Sequence, residues 1–190
     1  MNIPSTFVFA LSSAALLGAC TGMSPQAAAT TPMSQPFSQA ALPEAVKVPA
    51  GHKVAWETVG VGEITYECRA KAATPGAFEW VFVGPVAALK SRSGATLGSY
   101  YGPPATWAAL DGSKLTGAQL AVAPAGAGNI PLQLVKANPA MGNGTMTGVS
   151  YIQRVATQGG VAPALECGSA GLGRKETVKY QADYIFWKAA

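Results

Sequence analysis

From Pro43 onward, apolar positions recur mostly at every second residue, the spacing of a strand that buries one face and wets the other. Phe78, Trp80 and Phe82 fall on one face of such a strand, with Glu79 and Val81 opposite. Ile64, Tyr66 and Cys68 share a face against Thr65 and Glu67, so Cys68 is expected to point inward. The pattern predicts strands at 53–59, 64–69, 78–83, 86–90, 96–101, 106–110, 114–123, 130–135, 145–157 and 177–186. Apart from the first twenty or so residues, no apolar stretch keeps helical spacing beyond two turns.

Turn chemistry separates these runs. Gly84-Pro85, Ser93-Gly94, Gly102-Pro103-Pro104, Asp111-Gly112, residues 124–128, Asn138-Pro139, Gly142-Asn143-Gly144 and Gly159-Gly160 punctuate the pattern. Gly60-Val61-Gly62 reads as one more turn. Asp111-Gly112 fits a two-residue type I′ hairpin, which needs positive φ at both central positions. About ten short strands without an internal repeat imply an all-β, single-domain β-sandwich or barrel-like fold.

Composition supports many tight turns over a helical bundle, with Gly 22 and Pro 14 scattered along the chain. Charged residues make up 12% and hydrophobic ones 49%, against a usual charged share of about 25%. The net charge of +4 is dispersed, and basic residues never run longer than Arg174-Lys175. A nucleic-acid partner is not expected, because such proteins cluster Lys and Arg on one face.

The N-terminus carries an address. Residues 7–19 form an apolar run ending in small residues, too short for the roughly 20 residues that span a bilayer, and read as the core of a signal peptide. Leu17-Gly18-Ala19-Cys20 resembles a bacterial lipobox, which implies lipidation of Cys20 and a membrane anchor. No Lys or Arg precedes the run, a departure from the usual pattern. The rival is ordinary secretion with cleavage after Ala27-Ala28-Ala29. The expected layout is therefore a signal peptide over 1–19, a flexible, uncharged spacer over 20–42 and a β domain over 43–190. The expected location is the periplasm, on the outer membrane in preference to the inner, or outside the cell. In either compartment disulfides persist. With Cys20 assigned to lipid, Cys68 and Cys167 have only each other, and a bond between them is expected.

Several motifs in one order suggest a family. Pro49-Ala50-Gly51-His52-Lys53, Gly62-Glu63-Ile64-Thr65-Tyr66-Glu67-Cys68, Phe78-Glu79-Trp80-Val81-Phe82 and Tyr100-Tyr101-Gly102-Pro103-Pro104-Ala105-Thr106-Trp107 come first. Asp111-Gly112-Ser113, Tyr151-Ile152-Gln153-Arg154-Val155, Gly159-Gly160-Val161-Ala162-Pro163 and Ala182-Asp183-Tyr184 follow. Together they resemble the DUF3455 family over nearly all of the chain after Val46. The resemblance implies a secreted protein of a kind found in bacteria and fungi, and brings no activity or binding residues with it. Some fungal members look to carry a malate dehydrogenase label. No Gly-x-Gly-x-x-Gly opens a helix here, so dinucleotide binding has no support.

Candidate chemistry is sparse. His52 is the one histidine, which gives a catalytic triad no evident partner and makes a transition-metal site improbable. No cofactor is implied. Paired carboxylates for glycoside hydrolysis would come from Glu57, Glu63, Glu67, Asp111, Glu166 and Asp183, with Glu57 and Glu63 flanking the presumed turn at Gly60-Val61-Gly62. Aromatics are the better lead: Tyr100, Tyr101 and Trp107 bracket a proline turn, where they either present rings to a ligand or fill the core. Gln153-Arg154 lies mid-strand, with Arg154 either an ion-pair partner for Glu57 or Glu63 or an anion site. The candidate binding residues are thus His52, Glu57, Glu63, Tyr100, Tyr101, Trp107, Gln153 and Arg154. The expected function is non-enzymatic binding of a small molecule, glycan or envelope protein. The alternatives are hydrolysis of envelope polysaccharide and a purely structural role.

Overall fold

The computed structural model describes residues 37–190; the expected signal peptide, Cys20 and the expected spacer up to residue 36 lie outside them. Eight antiparallel strands appear among the described residues: β1 (His52–Ala70), β2 (Phe78–Lys90), β3 (Thr96–Tyr101), β4 (Thr106–Ala109), β5 (Lys114–Ala123), β6 (Leu132–Ala137), β7 (Val149–Gly159) and β8 (Lys175–Ala189). Each pairs with its neighbours in sequence, and β1 also pairs with β8, so the sheet closes into an up-and-down barrel. Closure leaves no long edge strand to be masked. Among these residues no helix is long and apolar enough to cross a membrane.

Ten expected strands become eight because two expected turns are strand interior. Residues 53–59 and 64–69 form one continuous β1, and 78–83 and 86–90 one continuous β2. Gly60 and Gly62 are there for space. A Cβ on Gly60 would sit 2.5 Å from the Tyr184 ring, and one on Gly62 would meet the Val86 carbonyl and lie 2.5 Å from Ala87 Cα. Pro85 is accommodated because β3 pairs with β2 only from Val86 onward, which leaves β2 a ladder partner on one side alone at that point. The Asp111-Gly112 hairpin also differs from expectation. Only Gly112 has positive φ, at 86°; the Gly112 N–H donates to the Ala109 carbonyl at 3.1 Å and the Ala109 N–H to Ser113 at 2.9 Å. This is a three-residue loop, a type I turn closed by a glycine bulge.

Alternation divides the apolar residues into two cores. Inward side chains fill the barrel, with Leu89, Trp107, Leu115, Met146, Ile152, Tyr184 and Phe186 fully buried. Outward side chains of β6 to β8, including Leu134, Val155, Ile185 and Trp187, are covered by Val46 and Val48. That covering segment begins earlier than the expected boundary at Pro43: Phe37 meets Trp187 edge-on at 6.2 Å, and Gln39 clasps Val48 through bonds of 2.9 and 2.8 Å. Cys68 and Cys167 are joined by a disulfide, their Cα atoms 5.5 Å apart across 99 positions of sequence. Closing a loop of that length stabilises by about 4 to 5 kcal/mol in the chain-entropy model.

Candidate functional site

The two ends of the barrel differ in how they are finished. At one end the β4–β5 and β6–β7 loops meet, and Met146 enters the core with no exposed surface. The connecting clasp is Asp111. Its carboxylate accepts the Ser113 N–H at 2.9 Å, the Ser113 hydroxyl at 2.6 Å, and the Thr145 N–H and hydroxyl at 2.7 Å each. Those donors, the Ser113 hydroxyl first, hold the Asp111 carboxyl well below the usual carboxylate range.

The opposite end, where the β1–β2, β3–β4, β5–β6 and β7–β8 connections lie, is a cup of about 380 Å³, within the size range of small-molecule sites. Its walls are Ile64, Phe82, Pro85, Ile130 and Pro131, with the Tyr66 and Tyr100 rings; Gly102, Pro103 and Ala105 form part of the rim. Three longer polar side chains complete it, Gln119, Gln133 and Arg154.

Each ring is held by something specific. The Tyr66 hydroxyl donates to the Gly160 carbonyl at 2.8 Å, and Phe82 packs edge-on against Tyr66 at 6.1 Å while remaining 52% exposed. Gly160 has φ +81°, and a Cβ there would come within 2.9 Å of Tyr180 and 3.0 Å of Ile130, so only glycine lets this loop close on Tyr66. Tyr100 stacks on Trp107 at 4.7 Å and leans on Tyr184 at 5.0 Å. Gln133 Nε2 donates to Gln119 Oε1 at 2.6 Å. Arg154 donates through Nε and Nη2 to the Pro131 carbonyl, at 3.2 and 3.0 Å.

Burial pushes the phenols of Tyr66, Tyr100, Tyr180 and Tyr184 up, and in each the positive charge of Arg154 opposes the shift. All four are therefore neutral at physiological pH. Deeper still, the Trp107 Nε1 and the Thr58 hydroxyl are buried without a hydrogen-bond partner among the described residues. Among the described residues no carboxylate, imidazole or thiol lines the cup. The arrangement can enclose an apolar body and offer it hydrogen-bond donors and one cation.

The eight residues singled out in the sequence scatter. Tyr100 and Arg154 line the cup. Tyr101 points outward, 40% exposed, paired with Val86 of β2. Trp107 is core, not a presented ring, at 1% exposure. His52 opens β1, its Nδ1 3.0 Å from the Pro49 carbonyl and its ring edge-on to Tyr151. Gln153 is fully buried on the outside of the barrel, where its amide donates to Val46 at 2.7 Å and to Gln39 at 3.0 Å and accepts the Trp187 indole N–H at 2.9 Å. Arg154 pairs with neither Glu57 nor Glu63. Glu57 accepts from the Phe37 N–H and lies 3.8 Å from Arg92, which also holds Asp183 at 2.8 Å. Glu63, between Val86 and Lys179 in the ladder, does not converge with Glu57, because Gly60-Val61-Gly62 runs straight through β1.

The other lining residues went unselected, among them the aromatic and polar side chains of Tyr66, Phe82, Gln119 and Gln133. The two glutamines carried a signal, since each stands where alternation with Leu115 and Gly117, or with Val135 and Ala137, asks for an apolar side chain. Among the described residues no three His, Cys, Asp or Glu side chains come together as a metal site.

No curated protein and no solved structure matches the chain. The sequence model of one family, DUF3455, described as a protein of unknown function, matches residues 49–188. That span takes in the eight strands except the last residue of β8, both cysteines of the disulfide and every residue of the cup, and the chain belongs to the DUF3455 family.

Proposed function

We propose that this is an exported binding protein, anchored by lipid on Cys20, whose barrel takes a small amphipathic molecule into its open end. The observation that carries the reading is the cup itself: an apolar, aromatic-walled recess closed below by core and lacking any acid, imidazole or thiol. Sites for small ligands are concave and mostly apolar with a few converging polar groups. A hydrolase working through two carboxylates would need them facing one cleft. Here Glu57 and Asp183 converge on Arg92 at the outer wall, outside the cup. The disulfide is consistent with an exported protein, and the lipid anchor rests on the Leu17-Gly18-Ala19-Cys20 motif.

Titration with the neutral apolar dye N-phenyl-1-naphthylamine tests the cup. Bound fluorescence is expected with the purified protein, to fall with Ala105→Trp, which fills the mouth, and to be unchanged in Tyr101→Ala on the outer wall. Equal loss in both variants, or none in either, refutes the site. For the anchor, labelled palmitate is expected in the protein and absent from Cys20→Ser; a mature N-terminus after Ala29 refutes it.

A further inference from the structure

Arg154 sets the chemical class of the ligand. A guanidinium carries five N–H donors, and two of these go to one acceptor, the Pro131 carbonyl. Among the described residues no carboxylate lies within salt-bridge distance of it, whereas Arg69 and Arg174 each have one and Arg92 has two. Arg154 is thus the one arginine of the described barrel that faces inward, and the only one left without a counter-charge.

Its surroundings sharpen this. It lines the cup together with Tyr66 and Tyr100, which sets the cation on the inner side of the wall. The adjacent glutamines are engaged with each other through the Gln133 amide and the Gln119 carbonyl, which leaves the Gln119 NH₂ as a further donor. A partly buried cation without a partner loses hydration it does not recover from the protein. A planar anion would restore it, because the guanidinium fork matches a carboxylate in two parallel hydrogen bonds.

The geometry points to a ligand with a single compact anionic group, a carboxylate above all, on an apolar body: the anion meets Arg154 and the Gln119 amide, and the body lies against Tyr66, Phe82 and Tyr100. This rests on the cup being a binding site and adds the sign of the ligand's charge. Cations are excluded by the same field, since no acid lines the recess.

Calorimetric titration of the full protein with three matched probes, 2-naphthoate, 2-naphthamide and 2-naphthylmethylamine, separates the two claims. The expected result is naphthoate bound about tenfold or more tighter than the amide, with no binding of the amine. Arg154→Gln is expected to bring naphthoate down to the level of the amide and leave the amide unchanged, and Arg154→Lys to recover part of the difference. Equal affinity for acid and amide in the wild type overturns the anion preference while the cup survives as a site. No binding of any probe, with no dye binding either, overturns both. If Arg154→Gln fails to fold, the wild-type comparison and Arg154→Lys still decide.

Discussion

Each end of this barrel holds a charged side chain, and the two are treated in opposite ways. At the sealed end the Asp111 carboxylate receives four hydrogen bonds from Ser113 and Thr145, and Met146 fills the space beneath. At the open end the Arg154 guanidinium has, among the described residues, only the Pro131 carbonyl and faces a cavity of about 380 Å³. A charge whose bonding capacity is filled by its own chain works as a clasp. A charge left with spare donors in a recess is available to something else.

The comparison can be broken from either side. The largest effect is expected at the open end from the double variant Cys68→Ser/Cys167→Ser, which releases the β7–β8 connection from β1. Urea unfolding should register a loss of about 4 kcal/mol, with increased hydrogen exchange concentrated around 160–174. A smaller loss at the sealed end follows from Met146→Ala, roughly 3 kcal/mol from a cavity in a fully buried position. Dye binding at the far cup should be retained.

Asp111→Asn sharpens the contrast through pH. Folding holds the Asp111 carboxyl below its ordinary value, so the folded state takes up that proton less readily than the unfolded chain. Its contribution is full above about pH 4, the unfolded value, and is lost as pH falls further. The variant should therefore be less stable than wild type at pH 7, with the gap in urea midpoint narrowing at pH 3; a constant gap would show that the clasp does not act through its charge. The smallest effect on stability is expected from Arg154→Gln, about 1 kcal/mol by the same unfolding measurement, even as it removes the preference for naphthoate.

Several features were legible without coordinates. Period-two alternation carried the all-β class, the inward direction of Tyr66 and Cys68 and the position of most turns, because side-chain direction along a strand is a local property. The same reading mistook Gly60-Val61-Gly62 and Gly84-Pro85 for turns. Glycine and proline mark a turn locally, but here they admit the Tyr184 ring, the backbone at Val86 and Ala87, and the Gly102 carbonyl, none of which is near in sequence. Gln153 and Arg154 show the limit most directly: neighbours in the chain, they lie on opposite faces of β7, one locked under the N-terminal segment by Val46 and Trp187, the other in the cup.

What the sequence determined by itself was therefore the alternation of inside and outside, and the partnership of Cys68 with Cys167 once Cys20 is set aside. What tertiary structure decided was closure and depth. Which inward residues stand at the mouth, such as Arg154, and which lie further down, such as Trp107, depends on how far each strand is staggered against the next. Stagger is fixed by pairings between residues as distant as Gly60 and Ala182, and no local pattern encodes it.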